Sequence, residues 1–173
     1  ILELPCDKIF HNAIYDVCWL HQMGLKVHGR IIDTMIAGPI VNENSPMRFS
    51  LDDLAKKYVG EKKSQTALYD AAKSWGVNAK TEMWKLPPMY VGPYAEQDAA
   101  LTLKLWDILK REIIRQDLLD VFKLETDLFP VLFEMKKKGV RVDVDHAERT
   151  KKTLFTTEKK ILKKIHEATN VHV

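Results

Sequence analysis

The spacing of apolar residues at the start of the chain predicts a strand followed by a helix. Residues 8–12 are mostly apolar and partly β-branched or aromatic, which is typical of a short buried strand ending at Asn12. From Ala13 to Met23 the apolar residues recur at helical spacing. Gly24 follows directly and is suited to end that helix in a left-handed conformation.

The same order of elements follows a second time. Residues 27–32 predict another strand, and the apolar run after it predicts a helix through Val41. Asp33, between the two, is interpreted as the cap of that helix rather than as a ligand. A third helix is predicted to begin at Ser50 and to end at Gly60. Strands alternating with helices indicate an α/β fold.

The middle of the chain is its least regular part, and a long helix follows it. A loop is predicted at residues 42–46, and several Gly and Pro interrupt residues 62–93. Within that second stretch only residues 66–75 favour a helix. A long helix is then predicted from about Tyr94 to Arg115. Its buried side is expected to carry Leu101, Leu105 and Leu109.

The pattern changes after this long helix. We expect a domain boundary near residues 117–122, with a first domain at 1–117 and a second at 118–173. The second part begins with an amphipathic helix that Pro130 is expected to kink and Gly139 to end. The apolar stripe of that helix is predicted to consist of Leu124, Leu128, Val131, Leu132 and Met135.

The last predicted helix is rich in lysine. Asp143 or Asp145 is expected to cap it, and it runs to about Thr169. The basic charge gathers at the C-terminal end, from Lys136 to Lys164, and such a surface is expected to face phosphates, although a solvated helix face has the same composition. The candidate nucleic-acid-binding lysines are Lys136, Lys137, Lys138, Lys151 and Lys152.

Composition narrows the classes of protein that fit. The 173 residues, 46% hydrophobic and 29% charged, allow one domain or one domain with part of another. No apolar run reaches the length of about 18 residues that favours a membrane span, so no membrane partner is expected. Two cysteines, Cys6 and Cys18, are too few for a disulfide framework, which favours an intracellular setting. The first residue is not Met, so we expect a fragment or a processed product.

Acidic residues far apart in the sequence are the candidates for a catalytic or metal-binding role. Asp16 lies in the first turn after the first strand, near the sheet edge where functional groups gather in open α/β folds. An acid at that place is also favoured by the helix dipole alone. Tyr94 and Asp98 are four residues apart and therefore share one face of the long helix. Isolated tryptophans are interpreted as core residues, namely Trp19, Trp84 and Trp106.

Five segments, in order, resemble the family A DNA polymerases. They comprise residues 11–16, 33–35, 50–58, 94–99 and 132–143. The first and fourth are similar to the second and third exonuclease motifs of that family, and the last is similar to the opening of its polymerase part. The resemblance implies a partial ribonuclease H-like (DnaQ-like) α/β exonuclease fold without its first strands, followed by a helical hairpin from the base of the polymerase thumb.

The resemblance also implies a chemistry and a role for each candidate residue. Two divalent metal ions, Mg²⁺ or Mn²⁺, would lie about 3.5–4 Å apart and support phosphodiester hydrolysis. Asp98 would bind the ion that activates water, and Tyr94 would orient that water, as in the tyrosine (DEDDy) subclass. Asp16 would serve the second ion. Asn12 would contact the DNA end or brace the site.

One motif of the family is absent from the sequence. The family carries an Asp-x-Glu on its first strand, which supplies two further metal ligands, and no Asp-x-Glu occurs in this chain. We therefore expect an internal fragment of a longer enzyme, cytoplasmic or in the nucleoid, with an organellar or viral source left open. Little or no exonuclease activity is expected from this chain alone.

Other functions stay open at this point. A ribonuclease D-like exoribonuclease resembles the same motifs, although residues 136–143 favour the polymerase. A non-catalytic module that binds nucleic acid through its basic helices is a third hypothesis. For the favoured hypothesis the expected partner is DNA, both as a single-stranded 3′ end and as a primer–template duplex. The sequence does not indicate an oligomeric state.

Overall fold

The computed structural model describes residues 1–44, 48–61 and 64–170. Over these residues the protein is mixed α/β and mostly helical, with a small parallel sheet. The loop predicted at residues 42–46 therefore lies only partly within the described residues. The elements in chain order are β1 (Lys8–Phe10), α1 (Ala13–Gln22), β2 (Ile31–Asp33), α2 (Thr34–Val41), α3 (Leu51–Leu54), α4 (Thr66–Ser74), α5 (Pro88–Arg115), α6 (Leu119–Lys138) and α7 (Val144–Thr169).

The two strands are parallel and are joined by α1. Lys8 lies opposite Ile31, and Phe10 lies opposite Asp33. Both strands are shorter than predicted. β1 ends at Phe10 because Asn12 adopts a left-handed conformation, with φ 69°, that extended chain cannot continue through.

The segment before β2 is held by side-chain and backbone contacts instead of by strand pairing. The Nζ atom of buried Lys8 donates to the backbone carbonyls of Leu4, Cys6 and His28 at 2.7, 2.9 and 2.9 Å. Gly29 has φ 88°, and a Cβ atom there would lie 2.0 Å from the Cys6 carbonyl oxygen. Residues 25–30 thus pack against the N-terminal segment. The second strand therefore begins only at Ile31.

Local capping signals are confirmed. Asp33 caps α2, since its carboxylate accepts the Met35 N–H at 2.9 Å. Ser50 caps α3 through its side chain, and Gly60, with φ 78°, ends this helical segment as predicted. The last turn before Gly60 is π-helical, because the Gly60 N–H donates to the Ala55 carbonyl at 2.9 Å.

The long helix α5 forms the centre of the core. It begins at Pro88 rather than Tyr94 and continues through Pro93, at the end of the stretch predicted to be the least regular. It packs against α2, α3 and α4. The predicted buried stripe is confirmed, and the buried hydrophobic residues of α5 are Leu101, Leu105, Trp106, Leu109 and Ile113.

The buried face of α6 differs from the predicted one. Phe122 and Phe129 are the buried residues of this helix. Phe122 joins the core around α5, and Phe129 packs with Ala13 and Val17 of α1. The members of the predicted apolar stripe are each exposed, by 42% to 67%. Those residues are Leu124, Leu128, Val131, Leu132 and Met135.

The structure divides into two compact units, Ile1–Lys137 and Lys138–Val173. Helix α6 packs within the first unit, and the domain boundary near residues 117–122 stays a prediction. In the second unit, Asp143 caps α7 by accepting the His146 N–H at 2.8 Å. No side chain of α7 is buried. None of the helices in the described part of the chain combines the length and the apolar character needed to cross a bilayer.

Candidate functional site

A cleft of about 710 Å³ in the first unit brings the candidate acidic residues together. Asp16 enters it from α1, whereas Tyr94 and Asp98 enter it from α5. The end of β1 contributes Phe10 and His11. The remaining lining residues are Ile9, Tyr15, Trp19, Leu20, Met23, Leu51, Ala95, Ala99 and Thr102. Carboxylates from distant parts of the sequence therefore line one apolar-walled cleft beside the carboxyl ends of the two strands.

Asp16 is placed in an unfavourable environment for a lone negative charge. It is half-buried in the first turn of α1. Burial raises the pKa of its carboxyl group above the ordinary value of 3.8; a backbone hydrogen bond opposes this, and the charge of Asp33 adds to it. A cation in the cleft would offset this cost, because it would favour the charged form of the carboxylate.

Tyr94 and Asp98 are held by the packing of α5. Tyr94 packs against a small cluster that includes Leu68 and Leu86. This cluster is built from α4 and the segment before α5, so the region that appeared irregular in sequence supports one wall of the cleft. The Thr102 hydroxyl donates to the backbone carbonyl of Asp98 at 2.8 Å. Both Tyr94 and Asp98 are half-buried.

His11 is a cleft residue to which sequence reasoning assigned no role of its own. Its Nδ1 atom lies 2.9 Å from the hydroxyl oxygen of Thr34, which is fully buried. The Thr34 hydroxyl donates to the Phe10 carbonyl at 3.1 Å. The hydroxyl therefore accepts from Nδ1–H of His11, and this contact fixes the direction of the imidazole ring.

The interpretation of Trp19 as a core residue is wrong. Trp19 is 58% exposed in the cleft, and its ring lies 6.3 Å from that of Tyr15 in an edge-on arrangement. Tyr15 and Trp19 on α1, and Met23 directly after it, follow one another at four-residue spacing, which was the available signal for a shared face. Trp84 is also exposed, by 80%, whereas Trp106 is buried as predicted.

The other candidate residues lie around or away from this cleft. Asn12 is exposed, and its side chain makes no capping hydrogen bond at the start of α1. The candidate lysines are all exposed and are not part of the cleft lining. The division between units separates them: Lys136 and Lys137 belong to the first unit, and Lys138, Lys151 and Lys152 to the second.

The donor atoms of the cleft suit a hard divalent cation. Carboxylate oxygens are the ligands that Mg²⁺ and Mn²⁺ prefer. Over residues 1–44, 48–61 and 64–170, however, no group of three or more His, Cys, Asp or Glu is close enough to hold a metal ion. Asp16 and Asp98 thus give the cleft two carboxylates, which are fewer than a complete metal cradle needs.

Comparison with known proteins identifies the family. Residues 1–114 match the model of the 3′–5′ exonuclease of family A DNA polymerases. The chain belongs to this exonuclease family. The matched residues include Asp16, Tyr94 and Asp98, so every acidic residue proposed from the sequence lies within the exonuclease region.

Several polymerases are related to the chain over most of its length. The DNA-directed DNA polymerase of Pseudomonas phage M6 is 31% identical over 165 residues, which are 94% of this chain and 25% of that protein. The DNA polymerase DpoZ of Salmonella phage PMBT28 is 36% identical over 80% of the chain. DNA polymerase I of Chloroflexus aurantiacus is 30% identical over 80% of the chain.

These relatives are all much longer than this chain. The chain spans a quarter or less of the length of each of them. Exonucleases of this family depend on divalent metal ions, and the related polymerases act on DNA. The resemblance to DNA polymerases stated from the sequence is therefore confirmed, and these relatives do not favour the ribonuclease D-like alternative.

Proposed function

We propose that the cleft is part of the proofreading 3′–5′ exonuclease site of a DNA polymerase. The observation that carries this proposal is that Asp16 and Asp98, from α1 and α5, line the same cleft within the region that matches the exonuclease family. The parallel βαβ unit, with Asp16 just beyond the end of β1, supports assignment to the ribonuclease H-like exonuclease fold.

Each of the four candidate site residues has a distinct role in this proposal. Asp98 and Asp16 would hold two divalent ions, which would supply electrostatic stabilisation of the attacking and leaving oxygens. Tyr94, one turn before Asp98 on α5, orients the attacking water through its hydroxyl group. Asn12 contacts the 3′ end of the DNA, since its exposed side chain is not used in capping α1.

A pair of carboxylates is not sufficient for tight binding of two cations. Two ions of charge +2 placed close together require more negative ligand charge than Asp16 and Asp98 provide. We therefore propose that an Asp-x-Glu strand outside this chain completes the site, and that this chain alone hydrolyses DNA slowly or not at all.

The candidate lysines have a separate role in the proposal, which is to contact duplex DNA. We assign Lys136, Lys137, Lys138, Lys151 and Lys152 to contacts with phosphates of the primer–template DNA. Such contacts weaken steeply with salt because bound cations are released from the DNA. A protein that acts on replicating DNA of a phage or bacterium works inside the cell, which accords with the phage and bacterial relatives.

Metal binding by the chain itself tests the proposal. Addition of Mn²⁺ should broaden the amide NMR signals of α1 and α5 around Asp16 and Asp98, and D16N or D98N should abolish this broadening. D120N is the matched control for Asp16, because Asp120 is also an acid in the first turn of a helix. D107N is the control for Asp98 on the same helix. Equal broadening in all four variants would contradict the assignment.

Hydrolysis is the second test. A labelled single-stranded oligonucleotide with Mg²⁺ should stay intact with this chain, and it should be shortened from its 3′ end by a longer polymerase that includes an Asp-x-Glu strand. In that longer protein, D98N should remove the activity. Hydrolysis by the chain alone that D98N abolishes would show that the pair of carboxylates suffices.

A further inference from the structure

Helix α1, which carries Asp16, does not cap its own N-terminus. Asn12 occupies the capping position, but its side chain makes no capping hydrogen bond, and its backbone is left-handed with φ 69° and ψ 51°. Unpaired N–H groups at the start of a helix need acceptors. Since α1 has only ten residues, its first turn depends strongly on whatever group satisfies them.

The acceptor comes from the end of the neighbouring strand. Oδ1 of Asp33 accepts the N–H of Asn12 at 2.9 Å, and Oδ2 accepts the N–H of Ala13 at 2.7 Å. Oδ1 also accepts the N–H of Met35 at 2.9 Å. Asp33 is 8% exposed. One buried carboxylate therefore caps α2, which it precedes, and α1, which it reaches across the sheet.

The next residue strengthens the same junction. The Thr34 hydroxyl donates to the carbonyl of Phe10 and contacts the ring of His11. Thr34 thus holds the end of β1, and Asp33 holds the start of α1. These contacts lie beside the carboxyl ends of the strands, where the cleft begins.

We infer that Asp33 is a positioning residue of the exonuclease site, which sets the place of Asp16 by anchoring the first turn of α1. Asp16 is three residues after Ala13, so a shift of this turn moves its carboxylate relative to Asp98 on α5. The inference rests on the proposed function of that pair. Asp33 is not part of the cleft lining, and its two oxygens accept three backbone N–H groups, so its assigned role is to position Asp16 and not to bind a metal ion.

In this arrangement Asp33 caps α1, while the side chain of Asn12 is left to contact the DNA. Asparagine is a frequent helix cap, and a cap made by the Asn12 side chain would occupy its amide group. Because Asp33 supplies the acceptor, the Asn12 side chain keeps its amide group for the DNA end. Loss of the Asp33 carboxylate should therefore disturb both the metal pair and the presentation of Asn12.

The test compares D33N with D143N in the chain itself. Asparagine keeps one acceptor oxygen but replaces the other with an amino group that cannot accept the Ala13 N–H. We expect D33N to speed hydrogen exchange of the Ala13 amide. We also expect it to weaken Mn²⁺ binding about tenfold. Mn²⁺ binding is measured by NMR line broadening at a temperature where the variant is folded. D143N makes the same substitution at the capping residue of α7, where asparagine can still accept the His146 N–H, and it should change neither quantity.

The outcomes separate positioning from a merely structural role. A D33N variant that is less stable but binds Mn²⁺ within about twofold of the parent chain would overturn the inference. Should D33N fail to fold, T34V provides the second variant, and it should weaken Mn²⁺ binding in the same direction by a smaller factor while T34S does not. If D16N and D98N leave Mn²⁺ binding unchanged, the proposed function fails and the inference with it. If only D33N and T34V leave it unchanged, the inference alone fails.

Discussion

The indole ring of Trp106 stacks on the ring of Phe122, with centroids 5.3 Å apart and planes inclined by 30°. This contact joins α5 to α6 and places the beginning of α6 in the same core as the cleft-bearing helix. The first unit consequently extends beyond the end of the matched exonuclease region at residue 114, through to Lys137.

Truncation of Phe122 tests this contact. Phe122 is 5% exposed, so F122A should leave a cavity beside Trp106 and lower the free energy of unfolding by about 3–5 kcal/mol. Urea unfolding followed by tryptophan fluorescence measures the change. L124A is the control, because Leu124 is 67% exposed and its loss should cost no more than about 0.5 kcal/mol. Equal losses in the two variants would mean that Phe122 contributes no more to the core than Leu124 does.

The buried lysine near the N-terminus gives a second prediction. Replacing Lys8 with Met keeps most of its apolar stem but removes the donor to three backbone carbonyls. We expect K8M to lower the free energy of unfolding by about 2 kcal/mol or more, because hydrogen bonds from a charged donor are lost at a buried place. K26M changes an exposed lysine in the loop after α1. It should have little effect on the free energy of unfolding in the same urea titration.

The environment of Asp16 predicts an unusual pH dependence. Its pKa is raised in the folded chain, chiefly by burial, so the folded state holds this proton more tightly than the unfolded state does. The stability contribution of Asp16 is therefore most favourable at low pH and falls as pH rises from about 3.8, the ordinary value, through the raised pKa.

The variant D16N removes this dependence. It should be more stable than the parent chain at pH 7, and the difference should shrink as the pH is lowered and vanish below the ordinary value of 3.8. Thermal unfolding of both proteins between pH 3.5 and 7, without divalent ions, measures this difference in stability. A D16N variant less stable than the parent chain at pH 7 would show that the Asp16 carboxylate gains more from its contacts than burial costs.

The exposed aromatic face of α1 predicts a fluorescence signal. Trp19 lies in the cleft with more than half of its side chain exposed, and nucleobases stack readily on such rings. A single-stranded oligonucleotide should change the tryptophan fluorescence of the chain, and W19F should remove most of that change. W84F is the matched control, because Trp84 is 80% exposed but outside the cleft lining. A signal lost in W84F and kept in W19F would place the DNA elsewhere.

Sequence alone determined the local features of this protein. The strand–helix–strand order, the cap at Asp33, the helix end at Gly60 and the buried leucines of α5 all follow from periodicity and capping, which act over a few neighbouring residues. The polymerase family was also identifiable, since its motifs are short and keep their order along the chain.

Only the tertiary structure decided which apolar face of each helix is buried. The stripe of α6 that includes Leu124 has helical spacing, yet Phe122 and Phe129 fill the core because α5 and α1 lie on their side. For the same reason Trp19 faces the cleft whereas Trp106 is buried. Periodicity describes one helix, while burial depends on which neighbours are present.

The candidate site shows the same division. Sequence spacing placed Tyr94 and Asp98 on one helical face and Asp16 at the start of another helix. It could not show that Asp33 caps both α1 and α2, because the atoms that share this carboxylate are some twenty residues apart along the chain. Short-range preferences are set by adjacent side chains, but a shared acceptor or a common cleft arises only when the folded chain brings distant backbone together.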